Sequence, residues 1–370
     1  MGARARRIAL LFPLCLLLSF FCAHSVQAEG EIGEETYQSF WENMPSLAEG
    51  SLPERLTDTE ALEEKLGFEA VLSLLTSSLS LALDHVGQTL LSLFVYFLSA
   101  RVISVLLPRN STTVRFAISL AGTFLLASAL QGSMERSFAY LRDTSRLAFG
   151  ISPIYAGLYA AGGGQGTAAA ASSGFFVFCT VVEWLAEGLL SPLLRILAAL
   201  TVLSVTEISA VGELSKAVRG WAMALFGIFS ALFPAALGFQ TSLAAASDSM
   251  AARAAKYAVG NTVPVVGGAL SGALGTLTSS LSLVKHTAGA AAFLAILAIA
   301  LPMLAELFLC RMLLSLFSSC SAAWEDRTAA KVFGDFRGLW DLLLAAVAAV
   351  SVVMLMLLAI FARTAVATAG

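Results

Sequence analysis

Residues 339–361 read LWDLLLAAVAAVSVVMLMLLAIF, with one acid in the run and Arg363 just beyond it. Coiled as a helix at ~1.5 Å per residue, such a run covers the ~30 Å hydrocarbon core of a bilayer. Similar apolar runs recur at 86–107, 114–130, 147–161, 174–203, 221–239 and 288–309. Inside lipid every backbone N–H and C=O must find a partner within the protein, so such runs fold as helices. The expected fold class is all-α, a polytopic helical membrane protein with seven to nine crossings. Composition agrees: 13% of the 370 residues are charged and 58% are hydrophobic, whereas soluble domains carry about 25% charged residues.

The start of the chain reads differently. Residues 1–28 have the form of a signal peptide: Arg4, Arg6 and Arg7, an apolar stretch over 8–21, and small residues at Val26 and Ala28 for cleavage. Residues 29–69 then carry twelve acids against Arg55 and Lys65. This exported acidic segment holds a short amphipathic helix through Tyr37, Phe40, Trp41 and Met44, broken at Gly50-Ser51-Leu52-Pro53. Thr57 or Asp58 caps a second helix. A segment this short buries little core of its own. It is either a solvated leader or a docking surface. Residues 68–84 place Phe68, Val71, Leu72, Leu75, Leu79 and Leu83 on one helical face, an interfacial pattern. The segment 29–85 is therefore one unit ahead of the first crossing. The basic 108–115 turn then falls on the inner side.

Several function classes drop out. The acidic segment repels phosphates, and no basic cluster elsewhere has a nucleic-acid footprint, so nucleic acid is not an expected partner. Beyond the leader only His85 and His286 remain, and no His/Cys spacing suits a metal. His286 beside Lys285 reads as a helix-end cation. GxSxG, HExxH, CxxC and GxGxxG patterns are absent from the sequence, so no enzyme and no cofactor is expected. Cys179, Cys310 and Cys320 lie in or beside apolar runs and read as small core residues.

Residues 162–173, GGGQGTAAAASS, lack the Lys of a phosphate loop and read as a flexible linker. The linker would divide a first hydrophobic half, 86–161, from a second, 174–370. The charged 131–146 segment reads as a loop or surface helix, 206–219 as a polar loop, and 324–338 as an interfacial helix. Glu183, Glu187 and Glu306 fall inside apolar runs. Acids at such depth are costly and mark function by default. They would either face a shared interior with Arg195 or Arg311, as an ion or proton path, or pair locally.

The stretch 251–287 is the most distinctive. Gly260-Asn261 followed by Pro264 breaks one helix before another begins. Beyond the break, Leu270, Leu274, Leu277, Leu281 and Val284 form one helical face. Gly268, Ser271, Gly272, Gly275, Thr278, Ser279 and Ser282 form the other. A small, hydroxyl-bearing face lets a neighbouring helix approach closely and bond through Ser and Thr, or lines a wet path. Both uses stay open.

With Phe40-Trp41 and Leu52-Pro53-Glu54 in the acidic segment, and Ala255-Lys256-Tyr257, Gly260-Asn261, Val263-Pro264-Val265 and Gly267 ahead of the Ser/Thr-rich helix, the chain resembles the stage III sporulation protein AE family. The resemblance covers nearly the whole mature chain and is sharpest at 251–287. It implies a non-enzymatic integral membrane subunit of a transenvelope, secretion-like channel complex in an endospore-forming bacterium. It would sit in the mother-cell membrane around the forespore, with its N-terminal segment exported, and support forespore development. Implied partners are membrane lipid, ring-forming subunits and an ATPase of the same operon, and a forespore-made protein; homo-oligomerisation stays open. The rival reading is a stand-alone secondary transporter, with a midplane site near Glu183, Glu187 and the Gly260–Pro264 break.

Overall fold

The computed structural model describes residues 68–106, 112–204, 209–262, 267–324 and 326–364. The leader and the acidic segment to residue 67 lie outside the described residues. Seven α-helices follow in order: α1 Phe68–Leu106, α2 Thr112–Ala161, α3 Gln165–Glu183, α4 Ser191–Ser204, α5 Ser209–Thr262, α6 Gly267–Ala323 and α7 Arg327–Arg363. A π-helical segment, Trp184–Leu190, joins α3 to α4. No strand occurs among the described residues.

The helices are longer and fewer than the apolar runs suggest. The runs 114–130 and 147–161 and the charged 131–146 between them form one helix, α2. The 206–219 segment is likewise helical from Ser209 and continues through the 221–239 run within α5. Charged side chains interrupt hydropathy but leave backbone hydrogen bonding intact, so the helix continues and the charges find partners. Five helices are long and apolar enough to cross a membrane, or six if the bent α1 is one span. Pro153, Pro234 and Pro302 lie inside α2, α5 and α6, as membrane helices tolerate where neighbours and side chains satisfy the freed carbonyl.

The π segment has a local cause. Pro192 has no N–H to give to the carbonyl of Gly188. Ser191 instead donates its N–H to Ala186 O, five residues back. The turn widens there, between Glu183 and Pro192.

Side-chain contacts fix the direction of each helix. Gly162–Gly164 form a tight turn in which Gly163 takes φ +81°, a conformation open to glycine. The 162–173 tract is thus a three-residue turn followed by helix, in place of the expected linker. Its alanines, with Ala168 and Ala171 fully buried, pack α3 against α2. Small residues bring backbones close, and close van der Waals packing is what holds membrane helices together. α6 and α7 form the other tightly packed antiparallel pair. α3 runs antiparallel to α5, through Phe178 against Phe233 and Gly166 against Asp248. α2 and α7 run parallel, through the Tyr140–Ser351 hydroxyl pair at 2.5 Å and the Tyr159 hydroxyl donating to Phe361 O.

α7 lies at the centre. Leu339, Leu343, Ala346, Val350, Val353, Leu357 and Phe361 are fully buried at helical spacing. Tyr155, Tyr159, Phe175 and Phe361 close one end of the core as an aromatic cluster. At the other end Phe97 stacks on Trp324 at 4.8 Å between centroids. The outside is apolar too: Phe124, Phe149, Phe239 and Met250 are exposed, as expected of a surface that faces lipid.

Candidate functional site

Among the described residues three ion pairs join different helices, and one helix end is capped from another helix. Arg136 on α2 reaches Glu306 on α6 with Nε 2.9 Å from both carboxylate oxygens and Nη2 2.6 Å from Oε1. Ser133 Oγ, one turn back, donates to Oε1 at 3.4 Å. Glu306 is 2% exposed. The planar guanidinium meets both carboxylate oxygens, the geometry in which such bonds are strongest.

Arg219 on α5 is nearly buried against α7. Its Nη1 donates to Asp335 O at 3.1 Å, and Nη2 lies 3.7 Å from the Asp335 carboxylate. A Cβ on Gly338 would fall on the Arg219 guanidinium. Gly338→Ala is therefore expected to expel Arg219 from both contacts and to lower stability by about 1–3 kcal/mol, read as thermal unfolding of the purified protein in detergent. Equal stability of this variant and the parent would show that Arg219 re-routes without cost. Arg311 pairs with Asp341, tying α6 to α7.

The fourth feature is the start of α3. Asp248 on α5 accepts from Gly166 N at 3.0 Å, Thr167 N at 2.7 Å and Thr167 Oγ1 at 2.6 Å. The first-turn amides that would otherwise invite an anion already hold a carboxylate from this chain. The glycine-rich tract thus receives an internal acid.

The predicted site residues are not gathered in one place. Glu306 is buried and paired, by Arg136 and neither Arg195 nor Arg311. Glu183 and Glu187 are exposed on the outer side of α3 and the π segment, away from the interior that holds Glu306. Around the predicted break, Gly260 and Asn261 are in the last turns of α5, α6 begins at Gly267, and Pro264 lies outside the described residues. The small-face residues Gly268, Ser271, Gly272, Gly275, Thr278, Ser279 and Ser282 fall on the helical backbone of α6, while their side chains lie outside the described set. Two residues escaped sequence reasoning. Arg136 sat in a segment read as a loop or surface helix, whereas Ser133, Ser137, Tyr140 and Thr144 form a buried helical stripe through it. Asp248 carried no signal, because its partner turn was read as a linker.

Among the described residues no group of three or more His, Cys, Asp or Glu is placed to hold a metal. The arrangement defines a class: a polytopic α-helical membrane protein whose helices are joined by ion pairs. The profile of the stage III sporulation protein AE family matches residues 55–365, and the chain belongs to that family. It is 24% identical over 264 residues to Stage III sporulation protein AE of Bacillus subtilis (strain 168), an alignment covering 70% of this chain and 66% of that protein. The matched part thus spans just under two thirds of the relative. No solved structure matches. This is a sporulation membrane protein, from a family of membrane components that is not a known enzyme family.

Proposed function

We propose that the protein is a non-enzymatic subunit of a transenvelope, secretion-like channel complex of sporulation, placed in the mother-cell membrane around the forespore and supporting forespore development. The observation that carries this reading is the family match over 55–365, which takes in the whole described bundle. The ring-forming subunits, the ATPase and the forespore-made protein named above are its proposed partners. The acidic segment ahead of α1, exported in this reading, supplies a docking surface for those between the membranes. The Gly/Ser/Thr face of α6 supplies close packing within the assembly, with pore lining as its second use.

A stand-alone transporter remains the competing reading, favoured by the π segment at Trp184–Leu190, where an interrupted helix carries Glu187. Paired substitutions separate the two. Gly272→Leu with Gly275→Leu is expected to cut assembly at least tenfold, scored as co-purification of ring-forming partners from sporulating cells. Glu183→Gln with Glu187→Gln is expected to leave co-purification and spore yield near the parent level. Silent leucines, or loss of function only in the glutamine variant, would favour the transporter.

A further inference from the structure

Five helices share a slab without charge. Residues 147–161 of α2, 165–182 of α3, 220–247 of α5, 289–305 of α6 and 342–362 of α7 contain no Asp, Glu, Lys or Arg. At ~1.5 Å per residue they run from roughly 22 Å to roughly 42 Å and bracket the ~30 Å of a hydrocarbon core. Contacts hold one end in register, and at the other the segments stop at different depths, α2 and α3 first. At one end Asp248 meets the start of α3, and Tyr159 meets the end of α7. At the other, Cys179 Sγ donates to Ser145 O at 3.3 Å, joining α3 to α2. Further along the axis, in turn, Arg136–Glu306, Arg311–Asp341 and Arg219–Asp335 join α2 to α6, α6 to α7 and α5 to α7.

The second end also carries outward-facing groups. Arg142 and Arg146 are exposed on α2, and Glu183 and Glu187 on the turn leaving α3. Between those acids Trp184 is 56% exposed. Tryptophan with its ring outward collects at headgroup level, where one edge is wet and the other apolar. Arginine beside it extends its head to water and lipid phosphate.

We propose that this tier, Arg142, Arg146, Glu183, Trp184 and Glu187, meets the lipid headgroup surface, and that the hydrocarbon core surrounds the charge-free slab between it and the Asp248 end. Glu183 and Glu187 are then wet at the membrane boundary, and neither sits at the midplane. The inference concerns lipid and stands independently of the channel-complex reading.

The competing placement puts the bilayer around α1 and residues 116–134 of α2, which are also apolar and expose Leu91, Phe94, Leu98 and Phe124. Tyr96 on α1, however, packs edge-on against Phe333 of α7 at 6.3 Å. That contact sets α1 level with the charges of Lys331, Asp335 and Arg337. On α5, Glu213 and Lys216 lie one to two turns before Arg219, exposed and paired with each other. A hydrocarbon layer at that level would hold all of these charges, which membrane helices avoid.

Single cysteines introduced into a Cys320→Ser background, in membranes opened to expose both faces, test the register with a membrane-impermeant maleimide. Arg146→Cys, Glu183→Cys and Glu187→Cys are expected to react within a few-fold of Glu213→Cys. Phe149→Cys, Phe176→Cys and Phe239→Cys should react at least tenfold more slowly. The Arg146/Phe149 contrast is the sharpest, because the two lie one turn apart. Protection of Glu183→Cys and Glu187→Cys together with Arg146→Cys would overturn the proposal. So would fast labelling at Phe149→Cys and Phe176→Cys with protection at Leu98→Cys and Phe124→Cys, the pattern of the competing placement.

Discussion

Glu306→Ala is expected to be the most damaging single substitution in the described bundle. It leaves Arg136 aimed at an empty, water-poor site and takes from Ser133 Oγ the acceptor it donates to. Removing one partner of a buried ion pair costs about 3–5 kcal/mol, because the remaining charge keeps its desolvation penalty and loses its counter-charge. Arg136 retains some access to solvent, its side chain being 36% exposed, so the lower end, about 3 kcal/mol, is the expected value. For a bundle of this size that corresponds to a fall in Tm of about 5 °C. Arg136→Ala should cost as much or more, since the stranded carboxylate is the more deeply buried partner. Glu306→Gln keeps an acceptor but not the charge and should fall between. The double variant Arg136→Leu/Glu306→Leu should recover much of the loss, as two apolar groups ask nothing of the site. Detergent-solubilised protein followed by thermal unfolding gives all four values. Additive losses in the double variant, or a Glu306→Ala protein as stable as the parent, would show that the pair does not hold α2 to α6.

That pair also shows where sequence reading reached and where it stopped. Fold class was legible because hydropathy reports directly on burial in lipid, although α7 starts twelve residues ahead of its apolar run and takes in the segment read as an interfacial helix. Helix length was not. A charged interval such as 131–146 looks like a boundary, because the sequence does not say that Arg136 points inward to a residue 170 positions later. The acid was visible and its partner was not. The same limit applied at 162–173. Glycine and alanine without charge fit a loose connector as well as a tight turn feeding a close helix contact. What decided between them was Asp248, remote in sequence and placed only by the antiparallel packing of α3 on α5. Glu183 and Glu187 were legible as acids in an apolar run, but their outward direction depends on which face of α3 meets α2 and α5. The stripes of 265–284 remain a property of the sequence, carried on a helix whose backbone begins at Gly267.

Asp248→Ala is the second large effect, and its expected signature differs from that of the ion pair. The carboxylate accepts three hydrogen bonds and is 9% exposed. Its loss strands two amides and a hydroxyl at the first turn of α3. A lost helix cap costs about 0.5–2 kcal/mol, and a bond to a charged acceptor contributes about 1.5–3 kcal/mol. Because water reaches the turn once the side chain is gone, the two figures overlap and the expected net loss is about 2 kcal/mol. The damage should be local. Gly162–Gly164 form the connection between α2 and α3, and releasing the cap frees the end of α3 before the bundle opens. Protease cleavage at that turn should therefore rise at temperatures where the rest of the bundle is intact, whereas Glu306→Ala should open the bundle as a whole. Asp248→Asn retains one acceptor oxygen but places an amide where a charge met the positive end of a helix, so it should lose about half as much. Thr167→Val removes only the hydroxyl bond and should lose less again. An Asp248→Ala protein whose turn resists protease as the parent does would mean that water caps α3 as well as the carboxylate, and that contacts such as Phe178 on Phe233, Gly174 against Leu237 and Gln240 Nε2 donating to Ser173 Oγ suffice to hold α3 to α5.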